Sequence, residues 1–156
     1  DEKAGNSLLY SMVMGNYTFG SRITGINDMP INDKLFILQS DIIKSAADKG
    51  PCVIIGRCGD YILREYDNVF RVFIHANKEA RIKRILSKGL CDEKKVSDFI
   101  TKRDKQRANY YNFYSNKRWD DLSNYHLTID SSEFDIDEVA EIIITAIGKI
   151  KPSAKK

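Results

Sequence analysis

The sequence predicts an α/β fold, a parallel sheet with flanking helices, on three observations. Short β-branched or aromatic runs, "CVIIG", "VFRVFIHA" and "YHLTID", read as strands; stretches of helical period with recognisable caps lie between them. The order strand, helix, strand, helix pair, strand, helix then implies βαβ crossovers. With 156 residues, 42% apolar and 30% charged, the chain is large enough to bury one core. One domain is expected over residues 1–150, with 151–156 a frayed basic tail.

Residues 1–32 hold four glycines and suggest a short apolar helix around Leu8–Val13 followed by a loop or hairpin. From Asp33, an expected N-cap, the apolar residues Leu35, Leu38, Ile42, Ile43 and Ala46 recur at helical spacing until Gly50 and Pro51 stop the helix. "CVIIG" follows as a continuous β-branched run, the pattern of a strand covered on both faces. Tyr61–Glu65 reads as a brief helix and "VFRVFIHA" as the second strand. Asn77 caps a helix to about Ser87, and Asp92 caps a longer one carrying Val96, Phe99 and Ile100. After the third strand, Asp135 and Glu138 stand at capping-box spacing before the last helix.

Cys52, Cys58 and Cys91 have no CxxC spacing and only two histidines accompany them, so a disulfide framework or zinc site is not expected. No apolar run approaches the length needed to span a bilayer, and a cytoplasmic protein is expected. The net charge is +3, yet Lys102–Trp119 holds six cationic side chains against Asp104 alone, so this segment carries +5 and the remainder −2. Such a local patch attracts anions. His75 and His126 read as ordinary residues, with no serine, cysteine and acid arranged as a triad.

Ligands of open α/β sheets bind beyond the carboxyl ends of the strands. Arg57 follows the first strand, where its planar fork suits phosphate oxygens, or pairs with a carboxylate such as Asp60. Arg103 and Arg107, four residues apart, share a helix face. Tyr110 and Tyr111 offer hydroxyls to phosphate or rings to a base, whereas Phe113 and Trp119 read as core edge. Arg81, Lys83 and Arg84 read as stems covering apolar surface. Asp130, Ser131 and Ser132 form the rim after the third strand, either lining a nucleobase or simply turning into the last helix.

Together "PCVIIGRCGDYIL", "NVFRVFIHANKEARIKRIL", "ITKRDKQRANYYNFY" and "LTIDSSEFDIDEVAEII" resemble the cytidylate kinase-like family, from roughly Asn6 to Ile147. The resemblance implies a P-loop nucleoside-kinase-like fold and a nucleotide-binding, ATP-binding transferase that phosphorylates CMP or a related nucleotide with Mg²⁺. It implies that Arg57 holds the acceptor phosphate and that Arg103, with Arg107 beside it, is a lid arginine between donor and acceptor phosphates. Residues 102–119 would be that lid and 1–32 the region covering the acceptor nucleotide. Asp130, Ser131 and Ser132 would lie near the ATP base. Asp60 is carried over as a cytosine-reading candidate, displaced from the family position directly after the arginine. Tyr110 and Tyr111 complete the substrate-binding candidates.

The Gly-rich phosphate loop of such kinases does not occur in this sequence, so the first βα unit or units of that fold are expected to be lacking. Three expectations follow: about 50 or more preceding residues in the intact protein, a sheet that closes up differently, or a strand supplied by another chain through oligomerisation or strand exchange. The 156 residues alone are expected to lack turnover. Two rival readings remain from the residues themselves. One is a single-stranded nucleic-acid-binding module built on the basic and aromatic stretch; the other is a degenerate kinase fold kept as an interaction domain.

Overall fold

A computed structural model of the protein describes residues 30–150. The expected apolar helix at Leu8–Val13, nearly all of the 1–32 covering region and the 151–156 tail lie outside the described residues. The chain divides into two compact units, Asp1–Leu63 and Arg64–Lys156.

In the first unit, helix α1 spans Ile31–Lys49. The carbonyl of Pro30 accepts from the Asp33 and Lys34 amides. Asp33 is therefore in the first turn and not the N-cap, because proline, with φ already near helical values, sets the helix going three residues earlier. Gln39 and Ile43, one turn apart, form the buried face, and Asp33 and Lys49 oppose the ends of the macrodipole. Gly50 ends the helix at φ 141°, a conformation that a side chain would resist.

The expected first strand does not form. Residues 51–55 make no ladder, and Val53 and Ile55 are 91% and 89% exposed. The run has strong β propensity but no neighbouring strand among the described residues, and propensity without a ladder partner does not make a strand. A brief helix, α2 (Gly59–Ile62), follows, two residues earlier than its sequence pattern suggests; Ile62 and Leu63 are buried there.

The second unit is built on β1 (Val72–His75) and β2 (Leu127–Asp130), a parallel pair registered Val72 to Leu127 and His75 to Asp130. Aromatic rings flank the pair: Phe73 packs against Tyr125 at 4.9 Å and edge-on to Trp119 at 5.5 Å between centroids. Before β1, the Arg71 amide donates to Nδ1 of His126, whose ring stacks on Phe70. Burial, then the Arg71 charge, holds His126 below the usual imidazole pKa.

Helix α3 (Lys78–Ser87) starts as expected, Asn77 Oδ1 accepting from the Ala80 amide at 2.8 Å. Asp92 precedes a 3₁₀ turn, Glu93–Lys95, and only then does α4 run from Val96 to Ser115. Helix α5 (Ile136–Lys149) has the full capping box, the Asp135 and Glu138 side chains each accepting from the other's backbone amide at 2.9 Å. Val96, Ile100 and Tyr111 of α4 are buried, as are Ile129 of β2 and Val139 of α5.

Candidate functional site

Arg57 sits on an unusual piece of backbone. Gly56, Arg57 and Cys58 take φ values of 68°, 57° and 55° in succession, and the turn closes with the Gly59 amide donating to the Gly56 carbonyl. For each non-glycine residue this left-handed conformation costs roughly 1–2 kcal/mol. Arg57 and Cys58 are thus held where neither relaxes by choice. In the same unit Arg57 borders a small recess with Gln39, Ile42 and Ile43 of α1. Asp60 lies in the first turn of α2.

Cys58, between them, is no nucleophile. Its thiol is buried and pushed up to about 12, by burial first and by the Asp60 charge second, with Arg57 pulling the other way. The turn also has no room beneath it. A Cβ on Gly59 would stand 2.8 Å from Ile54 Cγ2. Gly59→Ala should therefore cost about 1 kcal/mol, the low end for overpacking, since exposed neighbours let Ile54 move outward. Urea unfolding measures this, and Ile54→Ala in the same chain is expected to restore most of the loss.

In the second unit, α4 bears the remaining arginine candidates. The Arg103 guanidinium lies over the Phe99 ring, 5.3 Å from its centroid, a cation–π contact. Arg107 Nη1 donates to Asp104 Oδ1 at 3.3 Å. The same carboxylate receives Arg81 of α3 in bidentate fashion, both bonds 2.7 Å. Arg81, read from the sequence as a stem over apolar surface, is thus an ion-pair partner. The pairing joins residues 23 positions apart, across the contact between α3 and α4.

The aromatic candidates separate. Tyr111 is 5% exposed and belongs to the core, so its ring presents no platform to a base. Tyr110 packs against Tyr114 at 4.9 Å, and Tyr114 against Phe113. Phe113, expected at a core edge, is instead 73% exposed; the buried side of α4 passes through Val96, Ile100, Tyr111 and Ser115. Trp119 does pack inward, on Phe73.

At the carboxyl ends of the strands, Asp130, Ser131 and Ser132 form a tied rim. Asp130 Oδ1 accepts from the Ser132 amide at 2.9 Å, Ser131 Oγ donates to the His75 carbonyl at 2.9 Å, and Ser132 Oγ accepts from the Asn77 amide at 2.7 Å. The Ser132 hydrogen bonds hold the Asp130 carboxyl below its usual range, the His75 charge adding a lesser pull. His75 Nδ1 stands 4.0 Å from Asp130 Oδ2. Arg84 Nη2 reaches the Ser131 carbonyl at 3.4 Å. The Ser131 side chain is committed to this turn; Asp130 and Ser132 stay part-exposed.

Among the described residues no group of three His, Cys, Asp or Glu side chains converges to hold a metal, and no helix is long and apolar enough to cross a membrane. Among the described residues, the first unit offers the Arg57 guanidinium and the second the Arg103 and Arg107 guanidinium groups and the hydrogen-bonding Asp130–Ser132 rim. That equipment suits binding and positioning of anionic ligands.

A cytidylate kinase from Methanosarcina barkeri (strain Fusaro / DSM 804) is 31% identical over 103 residues, covering 63% of this chain and 55% of that protein. A second cytidylate kinase, from Methanoculleus marisnigri (strain ATCC 35101 / DSM 1498 / JR1), is 26% identical over 121 residues, 78% of this chain and 64% of that protein. The chain thus spans less than two thirds of the length of either. A crystal structure of an uncharacterized protein from Eubacterium ventriosum ATCC 27560 superposes with a TM-score of 0.71 at 31% identity, covering 77% of this chain and 76% of that one. Since the model of the cytidylate kinase-like family matches residues 1–133, most of its length, the chain belongs to the cytidylate kinase-like family.

Proposed function

We infer that the protein acts in phosphoryl transfer from ATP to CMP or a related nucleoside monophosphate. The observation that carries this reading is the left-handed Gly56–Cys58 turn. Backbone strain of this kind persists only where the surroundings impose it and concentrates at ligand-holding positions. Here it holds Arg57, to which the family resemblance assigns the acceptor phosphate, and the strain supports that assignment.

In the transfer, an oxygen of the acceptor phosphate attacks the γ-phosphorus of ATP, the bond to the β–γ bridging oxygen breaks, and ADP leaves. Little covalent work falls to the protein, which positions the nucleotides and offsets charge spread over phosphate oxygens. Arg57 grips the acceptor phosphate. Arg103 and Arg107 serve the phosphates from α4, with Tyr110 beside them, and Asp130 and Ser132 border the ATP base. The family uses ATP with Mg²⁺, an ion that retains waters and leans on substrate phosphates. No described residue is assigned to it.

The nucleic-acid reading needs several rings on an open platform. With Tyr111 buried, Tyr110 packed on Tyr114 and Tyr114 edge-on to Phe113, Phe113 is the one ring of Tyr110–Tyr114 that is largely exposed. Calorimetry with CMP, UMP and AMP, run beside filter binding to single-stranded oligonucleotides across a salt series, separates the two. Expected are saturable CMP binding and weak oligonucleotide binding; tight oligonucleotide binding with a steep salt slope and no CMP heat would overturn the kinase reading.

A further inference from the structure

Two arginines share Asp104, and they share it unequally. Arg81 binds it bidentately, with two bonds of 2.7 Å between side chains only 30% and 29% exposed. Arg107 makes one bond of 3.3 Å, and its side chain is 61% exposed. Short, paired, half-shielded bonds are the strong kind, whereas a single long contact in open water is weak and exchangeable. The first contact is therefore a strut between α3 and α4. Its α3 end is anchored in turn, since the Arg81 amide donates to the Asn77 carbonyl and the Asn77 amide to Ser132 Oγ. The carboxylate cannot follow Arg107 away from this strut.

We propose that Asp104 is a positioning residue: locked in place by Arg81, it holds the Arg107 guanidinium until phosphate oxygens take that guanidinium from it. The proposal rests on the phosphoryl-transfer reading for its physiological ligand, a nucleoside phosphate, but its physics needs only a polyphosphate anion. Arg107 carries three reasons to let go: its bond is long, it is exposed, and Asp104 already has a better partner. A bound carboxylate is a competitor of phosphate for the same fork, and it also adds a negative charge beside an anion's approach path.

The test uses the full chain and inorganic tripolyphosphate at low ionic strength, followed by calorimetry. Asp104→Asn is expected to tighten tripolyphosphate binding about three- to tenfold. In an Arg107→Ala background the same change should alter affinity less than about twofold, because the competition has lost its object. Unchanged or weaker binding by Asp104→Asn, no tripolyphosphate binding by either protein, or an equal gain with Arg107 already removed would each overturn the proposal. Should Asp104→Asn fail to fold, the pair Arg81→Gln with Asp104→Asn keeps hydrogen-bonding groups at both ends of the strut and carries the same expectations. Failure here differs from failure of the kinase reading. CMP binding that depends on Arg57, with no effect of Asp104→Asn, removes the latch alone; a latch that works on tripolyphosphate without CMP or ATP binding removes the kinase alone.

Discussion

Arg57→Ala is expected to weaken CMP binding by about 10- to 100-fold, the ~1.5–3 kcal/mol of a hydrogen-bonded charged contact, while leaving cytidine within about twofold. The difference between the two ligands is one phosphate, so the comparison isolates what the guanidinium does. Arg57→Gly sharpens it. Glycine accepts the left-handed backbone at φ 57° freely, which relieves roughly 1–2 kcal/mol of strain against roughly 0.5–1 kcal/mol of added chain entropy on unfolding. The glycine variant should thus be as stable as the parent or more so, and bind CMP as poorly as the alanine variant. Gain in stability with loss of binding is the expected mark of a strained functional residue. Calorimetry with CMP and cytidine, paired with urea unfolding, reads both effects. Equal losses for CMP and cytidine would reject the role given to Arg57.

What the sequence revealed in advance was mostly local. The Asn77 cap and the Asp135–Glu138 box form as expected because each needs only residues three positions apart. The second and third strands were legible from their β-branched and aromatic runs, though the paired lengths shrink to four residues each. "CVIIG" shows the limit: a strand is a relation between segments, and composition at residues 52–56 does not say whether a neighbour lies beside it. The Arg81–Asp104 strut was hidden for the same reason, being non-local, and nothing in "EARIKRI" separates a pairing arginine from a covering one. Phe113 and Tyr111 show how a two-residue step on a helix reverses burial. One clue was available, since Val96, Ile100 and Tyr111 lie near a single helical stripe that leaves Phe113 on another side. For the candidate site, residue types were readable, but which of them are already engaged was not.

That reversal makes Tyr111 the most demanding test of how the aromatic stretch is used. Tyr111→Ala should destabilise the chain by about 3–5 kcal/mol, the range for deleting a large buried ring. Domains of this size hold only about 5–15 kcal/mol in all. The loss follows from burial: at 5% exposure the ring is packed among core groups of the second unit. Tyr111→Phe keeps the ring and the helix, so CMP and oligonucleotide affinities should stay within about twofold of the parent, because no ligand reaches a side chain the core already encloses. Phe113→Ala, by contrast, should change stability by no more than about 0.5 kcal/mol, as expected of an exposed position. Thermal unfolding and calorimetry on the three variants decide the matter. A Tyr111→Phe chain that folds normally yet loses CMP would return the hydroxyl to the binding site and show that the buried ring turns outward when nucleotide arrives.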